Sequence, residues 1–258
     1  MPRATFRFYQ ELNDFLPPHQ RQVAFNHEWT GSPSIKHLVE ALGVPHTEVD
    51  LILVDDRSVD WAYRPRDNDR IAVYPVFESL DITPVIRLRP EPLRQVRFVL
   101  DGHLGRLAAY LRMLGFDTLW NSNAGDAALA LLSKEEHRIL LTRDQGLLKR
   151  SVVTHGYWVR ATGPREQLRE VIARFDLQRA ARPFTRCLSC NGLLSPVTLD
   201  EVKEQVPPQA AHAHEEFWRC DACRKVYWQG SHYRRMARLV EEALPIADGA
   251  EDAKGFEA

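Results

Sequence analysis

The chain has 258 residues, 44% hydrophobic and 27% charged, with a formal net charge of −1. This is ordinary globular material, enough for one large domain or two small ones, and the near-zero charge gives no overall attraction to nucleic acid. No apolar run approaches the roughly 20 residues of a membrane span, and the first residues carry no apolar signal core, so a cytoplasmic protein without membrane association is expected.

Residues 5–9 alternate Thr, Phe, Arg, Phe, Tyr, the period of a strand, and residues 22–29 suggest a second one. Ser32-Pro33-Ser34 opens a helix that runs through Ile35, Leu38, Val39 and Leu42 and stops at Gly43. Leu51-Ile52-Leu53-Val54 reads as a buried strand and Asp55-Asp56 as a turn. After a further turn at Asp67-Asn68-Asp69, the segment Arg70-Ile71-Ala72-Val73-Tyr74-Pro75 closes as a strand. The order strand, strand, helix, strand, strand predicts a β-grasp over residues 1–80. Its closing segment resembles that of the small ubiquitin-like sulfur carriers. Those carriers end in an activated Gly-Gly. This chain has no Gly-Gly there and continues, which favours a binding or packing module over a carrier. Residues 81–95, with Pro84, Pro90 and Pro92, are expected to be a linker.

Phe98-Val99-Leu100 is an apolar run of strand length, and Asp101 ends it. Leu104, Leu107, Ala108, Leu111 and Leu114 then recur at three- and four-residue steps, one face of a helix that Gly115 should stop in a left-handed conformation. Residues 116–120 can form a strand, Asn121-Ser122-Asn123 a turn, and Asp126 starts another helix. Residues 138–142 read as a strand ending in Arg143-Asp144, residues 157–160 as a further strand, and residues 164–175 as a helix. Strands alternating with helices predict a parallel sheet over residues 96–182.

In open α/β sheets, chemistry gathers outside the carboxyl ends of the strands. Asp101 and Asp144 end two predicted strands, and Asp126 opens a helix. Three carboxylates brought together repel one another and need a cation. Hard oxygen donors suit Mg²⁺ or Mn²⁺, which can activate water against a phosphodiester. The competing reading is that each aspartate is a helix cap.

Cys187-Leu188-Ser189-Cys190 and Cys220-Asp221-Ala222-Cys223 are two Cys-x-x-Cys pairs separated by 29 residues. Each spacing lets a tight turn aim two thiolates at one ion, and two such turns complete a tetrahedral structural zinc site. The intervening stretch is expected to hold a helix at residues 198–206, with His212 and His214 solvated. The pairs place a zinc ribbon over residues 183–240. From Lys149 to Arg186 the chain carries nine Lys/Arg against three acids. After the second pair, Arg224, Lys225, Tyr227, Trp228, His232, Arg234 and Arg235 interleave cations with aromatics, suited either to stacking bases and neutralising phosphates or to packing the ribbon. Residues 241–258 are expected to be an acidic, flexible tail.

The block from Phe98-Val99-Leu100-Asp101-Gly102-His103 to Leu114-Gly115-Phe116-Asp117, followed by Arg138-Ile139-Leu140-Leu141-Thr142-Arg143-Asp144, resembles the ribonuclease domain at the C-terminus of the worm mutator-seven exonuclease, which also occurs as stand-alone prokaryotic proteins. That domain is similar to PIN-type nucleases, carries a zinc ribbon and in prokaryotes often follows a ubiquitin-like domain. The resemblance implies metal-dependent RNA cleavage with Asp101, Asp126 and Asp144 as acidic ligands, Asp117, Glu135 and Glu136 competing with Asp126 for the third place. It implies RNA as substrate. His103 and Arg106, on the polar side of the first helix close to Asp101, suit either phosphate contact or plain exposure, Arg143 is expected among the RNA contacts, and a protein partner is expected for the ubiquitin-like domain. The alternative is a catalytically silent RNA-binding adaptor.

Overall fold

The computed structural model describes residues 1–75, 88 and 96–244, so most of the expected linker and tail lies outside the described residues. Two compact units divide the chain: residues 1–108 with 118–162, and residues 109–117 with 163 onward.

The first unit begins with β1 (Arg3–Phe8), β2 (Phe25–Glu28), α1 (Ile35–Ala41), β3 (Val49–Val54), β4 (Arg57–Ser58) and β5 (Arg70–Pro75). The described strands pair in the order β2-β1-β5-β3-β4. β1 runs parallel to β5, and the β1–β2, β3–β5 and β3–β4 pairs are antiparallel. This is the β-grasp expected from the element order. Alternation along β1 turns Ala4, Phe6 and Phe8 into a core shared with Ile35, Leu38 and Val39 of α1. Ser34 caps α1, its hydroxyl accepting from the His37 amide at 3.3 Å. A single-turn helix over Gln10–Phe15 and the two-residue β4 carry no periodic signal long enough to read in advance.

The same unit continues with β6 (Arg97–Leu100), the start of α2 (Gly105–Met113), β7 (Asp117–Trp120), α3 (Asp126–Glu135), β8 (Ile139–Thr142), α4 (Gln145–Leu148) and β9 (Gly156–Trp158). The strand order is β7-β6-β8-β9, with β6–β8 and β8–β9 parallel. β8 is buried at all four positions, as expected of a strand whose two faces are both covered. Val99, Leu129, Leu140, Leu147 and Leu148 form a shared core.

The β-grasp and this sheet meet at β9. The Trp158 amide donates to Glu48 Oε1 at 2.7 Å, Lys149 Nζ to the Glu40 carbonyl at 2.9 Å, and His46 Nε2 lies 2.9 Å from the Val153 carbonyl. The Phe15 and Trp158 rings pack at a tilt of 42° with centroids 4.8 Å apart.

The second unit holds the end of α2, then α5 (Pro164–Arg174), β10 (Leu194–Val197), α6 (Leu199–Val202), α7 (Pro208–Ala213), β11 (Phe217–Cys220), β12 (Val226–Trp228) and α8 (Ser231–Ala243). Gly115 ends α2 with φ +92°, and a Cβ there would collide with the Arg182 carbonyl, so the expected left-handed stop is present. β10, β11 and β12 form an antiparallel sheet in that order. The helix expected over residues 198–206 is instead two short ones. Thr198 and Glu201 make a capping box for α6, and Pro207-Pro208 starts α7 afresh. α8 runs to Ala243, past the expected start of the tail.

Candidate active site and metal centre

β6 and β8 are neighbours and parallel, so their carboxyl ends lie on one edge of the sheet. Asp101 follows β6, its amide bonded to the Leu141 carbonyl of β8 at 3.1 Å. The fully buried Thr142 ends β8. Its hydroxyl donates to Asp101 Oδ2 at 2.9 Å and accepts from the Asp144 amide at 2.9 Å. One hydroxyl therefore ties both aspartates together. Asp144 also caps α4, its Oδ1 accepting from the Gly146 amide at 2.7 Å. Of the expected alternatives the cap is present at Asp144, and it uses one carboxylate oxygen. Among the described residues, Asp101 Oδ1 and Asp144 Oδ2 take no hydrogen bond.

Asp126 is exposed in the first turn of α3, with Arg150 Nη2 3.7 Å from its Oδ2. Asp101, Asp126 and Asp144 do not close to within 4.8 Å of one another. The competing acids are engaged elsewhere or outward. Asp117 accepts from Asn191 at 2.8 Å and faces Arg186 at 3.6 Å, Glu136 pairs with Arg138 at 2.7 Å, and Glu135 is exposed. A pair of carboxylates with two open oxygens still fits a hard cation such as Mg²⁺, which keeps several waters and binds through one or two carboxylates plus substrate phosphates.

His103 and Arg106 are exposed just beyond Asp101. Arg143 Nη1 donates to the carbonyls of Val159 at 3.1 Å and Arg160 at 2.7 Å, and to that of Ala161, so one end of the guanidinium holds the segment after β9. Sequence reasoning missed Thr142 and Trp120. The Trp120 indole donates to the Gly102 carbonyl at 3.1 Å and covers Gly105, where a Cβ would strike the ring. The glycine spacing after Asp101 was the available signal.

In the second unit the two Cys-x-x-Cys turns are built alike. The Cys187 amide donates to the Gly192 carbonyl at 2.8 Å, and the Asn191 amide returns to the Cys187 carbonyl at 3.0 Å. The Cys220 amide donates to Lys225 at 2.9 Å, and Arg224 returns to Cys220 at 3.0 Å. Asn191 (φ 73°) and Arg224 (φ 63°) are both left-handed, which bends each chain back on its cysteines. A Cβ on Gly192 would lie 2.8 Å from Cys220 Sγ. The four Sγ atoms lie within 4.8 Å of one another, with Cys187–Cys223 at 3.6 Å and Cys190–Cys220 at 3.4 Å. Four sulfurs placed about 2.3 Å from one tetrahedral ion sit about 3.8 Å apart, so the cluster can hold a metal such as zinc.

Burial raises the Cys190 and Cys220 thiols. Burial acts on Cys187 in the same direction, yet its thiol is held down to about 6, because the Tyr227 hydroxyl and the backbone amides of Cys190 and Ser189 favour the thiolate. That hydroxyl lies 3.0 Å from Cys187 Sγ, so Tyr227 is tied to the cluster. Arg112, 5% exposed, donates to the carbonyls of Leu188 at 3.1 Å and Ser189 at 3.0 Å inside the first turn. Burial lowers its pKa, opposed by Cys187 and Cys190. His212 and His214 stand outside the cluster, as expected, His212 bonding the Pro208 carbonyl. Lys225 lies over the Tyr227 ring, Trp228 borders the small core of Val202, Val206 and Phe217, and Arg224, His232, Arg234 and Arg235 are exposed.

Residues 96–240 match the family model of the Mut7-C RNAse domain, and residues 1–81 match that of Mut7-C ubiquitin. No curated protein and no solved structure matches the chain. No helix among the described residues is long and apolar enough to cross a membrane.

Proposed function

Because the chain belongs to the Mut7-C RNAse domain family, we propose that it is a metal-dependent ribonuclease hydrolysing RNA phosphodiester bonds at Asp101 and Asp144. The observation that carries this reading is the pair of carboxylates at the ends of adjacent parallel strands, joined by the buried Thr142 hydroxyl, each with an oxygen left open. Asp101 and Asp144 would hold Mg²⁺ or Mn²⁺, with Asp126 as the third acid at the head of α3. The ion supplies, when bound, a water of lowered pKa and positive charge against the phosphate. Thr142 fixes the Asp101 carboxylate relative to Asp144. His103 and Arg106 stand where the strand's phosphates would pass. The four cysteines hold structural zinc, and with no open coordination position that ion takes no part in hydrolysis. The reduced cysteines and the RNA substrate suit the cytoplasm. The ubiquitin-like domain offers its outer sheet to a protein partner.

The test is incubation of the purified chain with labelled single-stranded and structured RNA in Mg²⁺, Mn²⁺ or EDTA. Cleavage that needs the metal and disappears in Asp101→Asn and Asp144→Asn is expected. Both variants keep their hydrogen-bonding shape, and Asn is as good a cap as Asp. Salt-sensitive binding without cleavage, unchanged in these variants, would establish the adaptor reading instead.

A further inference from the structure

Beside the cysteine cluster, and distinct from it, the second unit contains a cleft of about 310 Å³. Its walls include Phe184, Trp218, Tyr227, Trp228, Tyr233 and Met236. Five of these six side chains are aromatic. Phe184 holds a left-handed backbone (φ 61°), costly for so large a side chain, and its amide is tied to the Met113 carbonyl at 2.9 Å. Its ring is thereby set against Tyr233 with centroids 4.6 Å apart. Trp218 and Trp228 come from adjacent antiparallel strands, and Tyr233 and Met236 from successive turns of α8. The cleft is thus assembled from rigid elements braced by the Cys-x-x-Cys turns.

The segment that supplies much of the lining is strongly cationic. From Arg224 to Val240 the chain has five Lys/Arg and no acid. Arg224, Arg234, Arg235 and Arg238 are exposed and form no ion pair among the described residues. Tyr233 and Met236 share one face of α8, and Arg234 and Arg235 project from its exposed side. A cleft of this size is at the low end for a small-molecule site, too small for a peptide helix and adequate for one flat heterocycle. An aromatic cleft carried by a segment of net positive charge matches a flat, apolar group on an anionic strand.

We infer that this cleft receives a single unstacked nucleobase of an RNA strand, whose phosphates are drawn to the segment by its positive charge, Arg234 and Arg235 included. The inference rests on RNA being the substrate, and it adds a base-binding subsite remote in sequence from the aspartates. Stacking is tolerant of base identity, because every base has a π-face. The subsite therefore selects unpaired strands over duplexes, whose bases are not free to enter.

The experiment uses the full chain carrying Asp101→Asn, with no added divalent metal, and measures binding by fluorescence anisotropy. The probes are a short labelled polyuridylate and a strand of the same length and backbone lacking its bases. The intact strand should bind about tenfold or more tightly than the base-free one. Tyr233→Leu, which removes the ring from a half-exposed helix position and leaves the zinc content unchanged, should erase that preference. Arg234→Ala with Arg235→Ala should weaken both strands alike and flatten the salt dependence. Equal affinity for the two strands, or a preference that survives both Tyr233→Leu and Trp218→Leu, would overturn the inference. Since no cleavage is read, a chain that cleaves RNA yet binds both strands equally refutes the cleft alone. A chain that discriminates but never cleaves keeps the cleft and loses the nuclease.

Discussion

Arg160 is the residue on which the junction between the β-grasp and the parallel sheet most depends. Its Nε donates to Asp14 at 2.9 Å, its Nη2 faces Glu48 Oε2 at 3.8 Å, and its guanidinium lies 5.3 Å from the Phe15 ring centroid and 5.2 Å from those of Tyr157 and Trp158. Its side chain is 20% exposed and that of Glu48 only 1%. Burial works against the charge on Arg160, but Glu48, Tyr157 and Asp14 outweigh it and raise the pKa. Arg160→Met keeps the length and the contact with the rings and removes the charge. The buried Glu48 then loses this cation, with the Trp158 amide still bonded. Breaking a buried pair typically costs 3–5 kcal/mol, and the remaining amide bond and the partial exposure of Arg160 place this case at about 3 kcal/mol. For a unit of this size that corresponds to a fall in Tm of roughly 6–12 °C.

The assay is calorimetric or circular-dichroism melting of the single variant and of Arg160→Met with Glu48→Gln. The glutamine still accepts from Trp158 and carries no charge, so the double variant should regain a substantial part of the loss. A Tm change under about 2 °C, or a double variant no more stable than the single one, would refute the ledger of charges at this junction.

Thr142→Val removes the hydroxyl between the aspartates without changing shape. It should cost about 1–3 kcal/mol of stability and lower kcat for RNA more than it raises KM, since Asp101 and Asp144 lose their common tether. Full activity in this variant would remove Thr142 from the site. Arg112→Met should leave the sheet of β6–β9 intact and weaken zinc retention about 10–100-fold in a chelator competition, because the carbonyls of the first cysteine turn lose their clamp. Cys190→Ser or stringent chelation should unfold the ribbon, whose apolar core cluster among the described residues is the small group Val202, Val206 and Phe217. Metal binding worth about 10–16 kcal/mol in isolated fingers has no replacement there. Elemental analysis should find one zinc per chain in the native protein, and a folded ribbon with four freely titrating thiols would exclude the metal site.

What the sequence revealed was whatever depends on short range. The β-grasp followed from strand and helix periods and from the Asp69–Pro75 closing segment. The cysteine cluster followed from two identical spacings, because a Cys-x-x-Cys turn is a local object. Asp101 and Asp144 were visible because each ends an apolar run. Partner choice was not visible. Arg143 reads as a cation beside an acid, and three carbonyls 16 to 18 residues onward hold its Nη1. Tyr227 reads as an aromatic among cations, and its hydroxyl reaches back to Cys187. Phe184 lies three residues before Cys187 and carries no periodic signal at all. Only its left-handed backbone brings its ring to the cleft. In each case a side chain with two chemically sound uses is assigned by packing between segments distant in sequence.

The missing Gly-Gly acquires a physical meaning at β9. This strand lies at the edge of the order β7-β6-β8-β9, and an edge presents unpaired amides and carbonyls to any passing chain. Here the Trp158 amide is taken by Glu48, the Val153 carbonyl faces His46, and the Trp158 ring joins the β-grasp core. The ubiquitin-like domain thus closes the edge of the sheet that bears the aspartates. Arg143 lies on the same path, since its carbonyl accepts from the Trp158 indole at 3.2 Å while its guanidinium holds the backbone after β9. Asp144 is the next residue. A β-grasp that must release its C-terminus to an activating enzyme could not also be continuous with the chain it braces.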